Sequence, residues 1–149
     1  MAVTALDKDL GEWCVHCNVG SGCAIYESRP GECRTFACQW LITPQMPDSM
    51  RPDRTKVVLT TMDANFNLVA YCDPAYPLAW RKEPTYSLLK SYAQQGLGQR
   101  WVTVRVGGSL WLVMPNEDVD LGRIPAGVPI SLSKGADGKY RAIVSPPVA

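Results

Sequence analysis

Histidine is nearly absent from this chain: His16 is the only one. A Ser-His-Asp relay needs an imidazole beside a nucleophile. With its one imidazole set between two cysteines, the chain has no such relay elsewhere. A Gly-rich phosphate loop and a dinucleotide fingerprint are also missing, because Gly107-Gly108 reads as a hairpin turn and not as part of a GxGxxG. Enzymatic function is therefore the weakest expectation. Excess charge is lacking too. Lys plus Arg number 15 and Asp plus Glu 14, for a formal net charge of +1. Near-neutrality removes the usual electrostatic case for nucleic acid or an anionic membrane as partner. No run approaches the roughly 18 apolar residues of a membrane span. Met1 to Asp7 has no basic stretch, and Asp7 and Asp9 interrupt any apolar one. The expectation is no secretory signal and a cytoplasmic protein.

What is present is enough apolar material for a core. Hydrophobic residues make up 46% of 149 residues, the size of one domain or of one domain plus a small module. Twelve glycines and twelve prolines predict many turns and short elements. The cysteines divide the chain. Five of the six, Cys14, Cys17, Cys23, Cys33 and Cys38, fall in one short stretch, and Cys72 stands alone. Residues 1–45 read as a cysteine-rich metal-binding module, and residues 46–149 as an α+β body. Between them Thr43 to Asp53 carries three prolines and reads as an extended connector.

The body shows ordinary periodicities. Lys56 to Thr61 is rich in β-branched residues and predicts a strand, and Asn67 to Tyr71 a second, with a turn at Asp63 to Asn65. Pro84 to Gln95 predicts a helix, with Pro84 in its first turn and Gly96 in the left-handed position after its end. Tyr86, Leu89 and Ala93 share one face of it, with Leu88 and Tyr92 beside them. Arg100 to Val106 and Ser109 to Met114 flank Gly107-Gly108 as a hairpin, the strongest local signal in the chain. Val128 to Ser131 and Tyr140 to Val144 predict another hairpin around Lys134 to Lys139. The sum is an α+β fold: a metal module packed on a mostly antiparallel sheet with one main helix.

Thiolate is a soft, strong ligand for zinc and for iron–sulfur clusters. The two-residue gap of Cys14-Val-His-Cys17 lets two thiolates on one tight turn reach one ion. The four-residue gap between Cys33 and Cys38 falls within the usual range for zinc pairs. Cys23 follows Gly20-Ser-Gly22, a stretch flexible enough to fold back. In a reducing compartment such a cluster favours metal over disulfides. Two disulfides plus a free thiol would use the same residues, and that alternative stays open. His16 reads as a solvated loop residue, since three ligands from four adjacent positions are geometrically disfavoured. Cys72, at a strand end, reads as a semi-buried thiol.

The stretch from Cys23 to Cys38 carries Cys23, Tyr26, Arg29, Pro30, Cys33 and Arg34 in a specific order. It resembles the YkgJ-type family, described as a zinc- or iron-chelating domain with a CxxCxxCC signature. The family's upstream knuckle corresponds to Cys14 and Cys17. The CC doublet is missing, so the chain resembles a short variant. The resemblance implies metal or iron–sulfur binding and supplies no reaction. On physical grounds Pro30 would fix a turn that aims Cys33 back at Cys23. Arg29 and Arg34 would donate to sulfur or to nearby carbonyls, or else form surface ion pairs with Glu27 or Glu32.

The expected ligands are Cys14, Cys17, Cys23 and Cys33, with Cys38 competing for the fourth place. Zinc in a closed structural site is the first expectation, an iron–sulfur cluster for redox sensing or electron transfer the alternative. The α+β body is left for recognition, with a protein partner open. Asn116 to Asp120 is acidic and reads as a solvated loop rather than a cation site. Ala75 to Trp80 reads either as a binding edge or as a lid over the sheet.

Overall fold

A computed structural model describes residues 2–9, 12–62, 67–124, 128 and 130–144. After a 3-10 turn at Thr4–Leu6 come two-residue strands, β1 (Cys17–Asn18) and β2 (Gly22–Cys23). Single-turn helices follow: α1 (Gly31–Thr35), α2 (Gln39–Ile42) and α3 (Pro52–Thr55). Next come β3 (Val57–Met62), β4 (Asn67–Cys72) and the long helix α4 (Thr85–Gly96). The chain then forms β5 (Val102–Val106), β6 (Ser109–Val113), β7 (Asp118–Arg123), β8 (Ile130–Lys134) and β9 (Tyr140–Val144).

The fold is mixed α+β. Five strands make the main sheet in sequential order from β3 to β7. Three of its pairings are antiparallel, and β4 with β5 is parallel. A parallel neighbour needs a crossover, and α4 supplies it. Alternation sends Leu68, Ala70 and Cys72 of β4 to one face, with Val57 and Leu59 opposite on β3 and Val102 and Val104 on β5. Leu89 and Ala93 of α4 cover that face, and Trp80 fills the space beside them. Val69, Leu110 and Leu112 lie on the other face and are buried as well. Among the described residues no helix is long and apolar enough to cross a membrane.

The Gly107-Gly108 hairpin forms as expected, and Gly107 takes φ +56° while Gly108 does not take a positive φ, the pattern of a type II′ turn. The late hairpin forms too, as a separate two-stranded sheet. The turn expected at Asp63 to Asn65 lies outside the described residues. Three expectations change. Gly96 is the last residue of α4 and is buried; a Cβ there would sit 2.9 Å from the Arg100 Cβ, so close packing selects glycine. The left-handed position is Gly98, at φ +83°. The proline-rich stretch is no extended spacer. Its prolines alternate with Met46 and Met50, which anchor it on the core, and Pro52 opens α3. Asn116 to Asp120 is not simply a solvated loop, because Asp118 begins β7 and its side chain is 5% exposed. Tyr86, Lys90 and Arg81 surround that carboxylate, which offsets its burial.

Two acids in β4 make the body alkali-sensitive. Burial pushes Tyr71 above its ordinary 10.0, partly opposed by Arg105. Burial also raises the Cys72 thiol above 9.0. Below those ordinary values both groups are protonated, folded or unfolded. Above them the unfolded chain releases protons that the folded chain retains, so stability falls as pH rises. The urea midpoint should therefore drop between about pH 8 and about pH 10.5. The Tyr71→Phe/Cys72→Ala double variant should show a shallower drop, and an equal drop would refute this origin.

Candidate metal centre

The cysteine segment is built from turns. The Cys17 amide donates to the Cys14 carbonyl at 2.9 Å, which closes the expected knuckle. Gly20 at φ +84° and Gly22 at φ +105° then reverse the chain. This brings β2 back against β1, with Cys17 directly opposite Cys23 and Asn18 opposite Gly22. The Ala24 amide donates to the His16 carbonyl at 2.8 Å. That bond marks His16 and Ala24 as a hydrogen-bonded pair, which makes Cys17 and Cys23, one step along, the non-hydrogen-bonded pair.

The next stretch explains the arginines. Arg34 donates through Nε to the Arg29 carbonyl at 3.0 Å and through Nη2 to the Glu27 carbonyl. Arg29 donates to the Tyr26 carbonyl, and its guanidinium lies 3.7 Å from the Tyr26 ring centroid. Of the two roles open to Arg34, the carbonyl role is the one observed. Its planar fork holds the Glu27–Arg29 bend, and Pro30 then starts α1 with Cys33 in it. Glu32 accepts from the Thr4 amide at 3.0 Å and ties the N-terminal strap to α1.

All six thiols are free. Cys14, Cys17 and Cys33 are partly buried, Cys23 is exposed, and Cys38 and Cys72 are buried. The backbone thus relates Cys14 to Cys17 across a turn and Cys17 to Cys23 across a ladder. Cys33 lies beyond the bend, and Cys38 caps α2. Among the described residues no three His, Cys, Asp or Glu side chains gather closely enough to hold a metal ion.

Trp13, Cys17 and Val19 are among the residues that line a cleft of about 690 Å³. Lys56, Tyr71 and Cys72 line the same cleft. Sequence reasoning missed that Cys72 shares this cleft with Cys17. The signal was only its place at the end of β4, since the pairing of distant segments decides which loops face each other. Its Sγ donates to the Tyr76 carbonyl at 3.2 Å, and burial keeps the thiol protonated. Those properties fit a structural thiol better than a ligand.

Ala75 to Trp80 divides between its two expected roles. Trp80 is 1% exposed and packs against Tyr86 and Trp111, as a lid would. Tyr76 and Leu78 remain exposed on the same loop, as a binding edge would. Comparison with protein-family models, curated proteins and solved structures finds no match to this chain.

Proposed function

We propose that this chain is a small metal-binding protein. Cys14, Cys17, Cys23 and Cys33 hold one zinc ion as thiolates, Cys38 competes for the fourth place, and the α+β body serves recognition. One observation carries the reading: from residue 12 to residue 42 only Cys38 is buried. A segment with so little burial gains little hydrophobic stabilisation of its own. A structural zinc site contributes on the order of 10 kcal/mol to folding. The resemblance to the YkgJ-type family supports the same reading. Cys14 with Cys17, and Cys17 with Cys23, are neighbours through backbone geometry, which supports the reading, and metal binding would have to gather their side chains. Metal binding would draw Cys33 in from α1. The arginine-braced bend is the element that aims it.

A zinc ion held there would supply a cross-link between these thiolates. The cysteines supply charge and position, and Arg29 and Arg34 keep the approach of α1 fixed. An iron–sulfur cluster is the second reading, favoured by the fifth thiol near the set. Colour and metal content separate them. Anaerobically purified protein should be colourless, with about one zinc per chain. A brown protein with iron, acid-labile sulfide and absorption near about 400 nm would replace zinc by the cluster. No metal after purification and no uptake of zinc or iron on titration would overturn both.

A further inference from the structure

The ladder between β1 and β2 does more than place two ligands. We propose that Cys17 and Cys23 are a thiol oxidation site, which a two-electron oxidant of the hydroperoxide class converts to a Cys17–Cys23 disulfide. The inference rests on the register and not on the metal reading. Cys17 and Cys23 are directly opposed and occupy the non-hydrogen-bonded position. Opposed residues of an antiparallel ladder project to the same face, and at this position their backbones approach to about 4.5 Å between Cα atoms. Disulfides span roughly 4.4–6.8 Å between Cα atoms, so the bridge fits the ladder without backbone movement. The turn fixes this register, because Gly20 and Gly22 hold conformations that other residues rarely adopt. A slip by one residue would send the two thiols to opposite faces.

Exposure sets the order of events. Cys23 is exposed and meets the oxidant first, while Cys17 is partly buried beside it. The Cys23 thiolate attacks one peroxide oxygen, the O–O bond breaks, and Cys23 becomes a sulfenic acid. The departing hydroxide takes a proton and leaves as water. The Cys17 thiolate then attacks the Cys23 sulfur, the S–O bond breaks, and the S–S bond forms with release of a second water. Two thiols lose two electrons and two protons, and hydrogen peroxide accepts them. The disulfide and a metal exclude each other, because both use the same two sulfur atoms.

The test uses the full chain, reduced, freed of metal with a chelator and treated with one equivalent of hydrogen peroxide. Peptide mapping by mass spectrometry without reduction should find Cys17 joined to Cys23 as the main linkage. The same linkage should persist in the Cys14→Ser variant. Insertion of one residue after Ser21, which shifts the register, should reduce its yield about tenfold or more on the geometric limits of a disulfide. A main linkage between Cys14 and Cys17, a mixture of pairings, or peroxide consumption ending in sulfinic acid would each overturn the proposal. Zinc titration of the untreated chain tests the metal reading separately, so failure of either leaves the other standing.

Discussion

Asp118→Ala should cost about 3 kcal/mol of stability, the lower end of the range for breaking a buried ion pair. Its carboxylate lies 2.7 Å from Lys90 Nζ and 3.2 Å from Arg81 Nη1, and it accepts the Tyr86 hydroxyl at 2.9 Å. The partners come from two places. Lys90 and Tyr86 stand on α4, and Arg81 ends the turn after Trp80, with its guanidinium 4.3 Å from the Trp80 ring and 5.0 Å from that of Trp111. The one carboxylate therefore fastens the crossover helix and the aromatic loop to edge strand β7. Alanine would leave the ammonium of Lys90 with the Met114 and Glu117 carbonyls and the Tyr86 ring, but with no carboxylate. In a chain of this size that loss corresponds to a fall of about 6–12 °C in the thermal midpoint. Asp118→Asn keeps an acceptor and should lose about half as much. Thermal unfolding followed by circular dichroism measures both. A fall below about 2 °C for alanine would show that solvent screens the cluster.

Zinc affinity should drop by more than about 100-fold in Cys23→Ser and in Cys33→Ser, measured separately by competition with a chelating indicator. Loss of a group that only supports a ligand costs about 10–100-fold, and loss of a ligand removes a coordinate bond as well. Cys72→Ser should leave affinity unchanged, since that thiol is buried, protonated and bonded to the Tyr76 carbonyl. Cys38→Ser separates the two candidates for the fourth place. If it retains affinity while Cys33→Ser loses it, Cys33 is the ligand; the reverse result moves the fourth place to Cys38. Full affinity in both Cys23→Ser and Cys33→Ser would end the tetrathiolate assignment.

Local patterns in the sequence were sufficient for the elements whose causes are local. The Gly-Gly hairpin needs only a turn type and two alternating flanks, and it forms at Val102–Val106 and Ser109–Val113. The long helix needs only a 3.6-residue stripe, and Leu89 and Ala93 are buried as the stripe requires. The knuckle at Cys14 to Cys17 is likewise a local turn. The Arg29–Arg34 stretch was legible as a unit, though its purpose was not. Whether an arginine meets a carboxylate or a carbonyl depends on where the backbone bends, and spacing alone does not report that.

Tertiary structure decided the rest. The parallel pairing of β4 with β5 follows from α4 crossing over one sheet face, a relation between segments that no local window contains. Asp118 sits in an acidic run that reads as solvated, yet three side chains from α4 and the aromatic loop converge on it. The sequence alone named the thiols proposed as ligands, because thiols are rare and their clustering is visible in one dimension. It did not determine which thiols face each other. Cys17 opposes Cys23 because two left-handed glycines set a register, and Cys72 shares a cleft with Cys17 because the tertiary fold brings the end of β4 to the same cleft as that turn. Spacing names the candidates, and three-dimensional register assigns them partners.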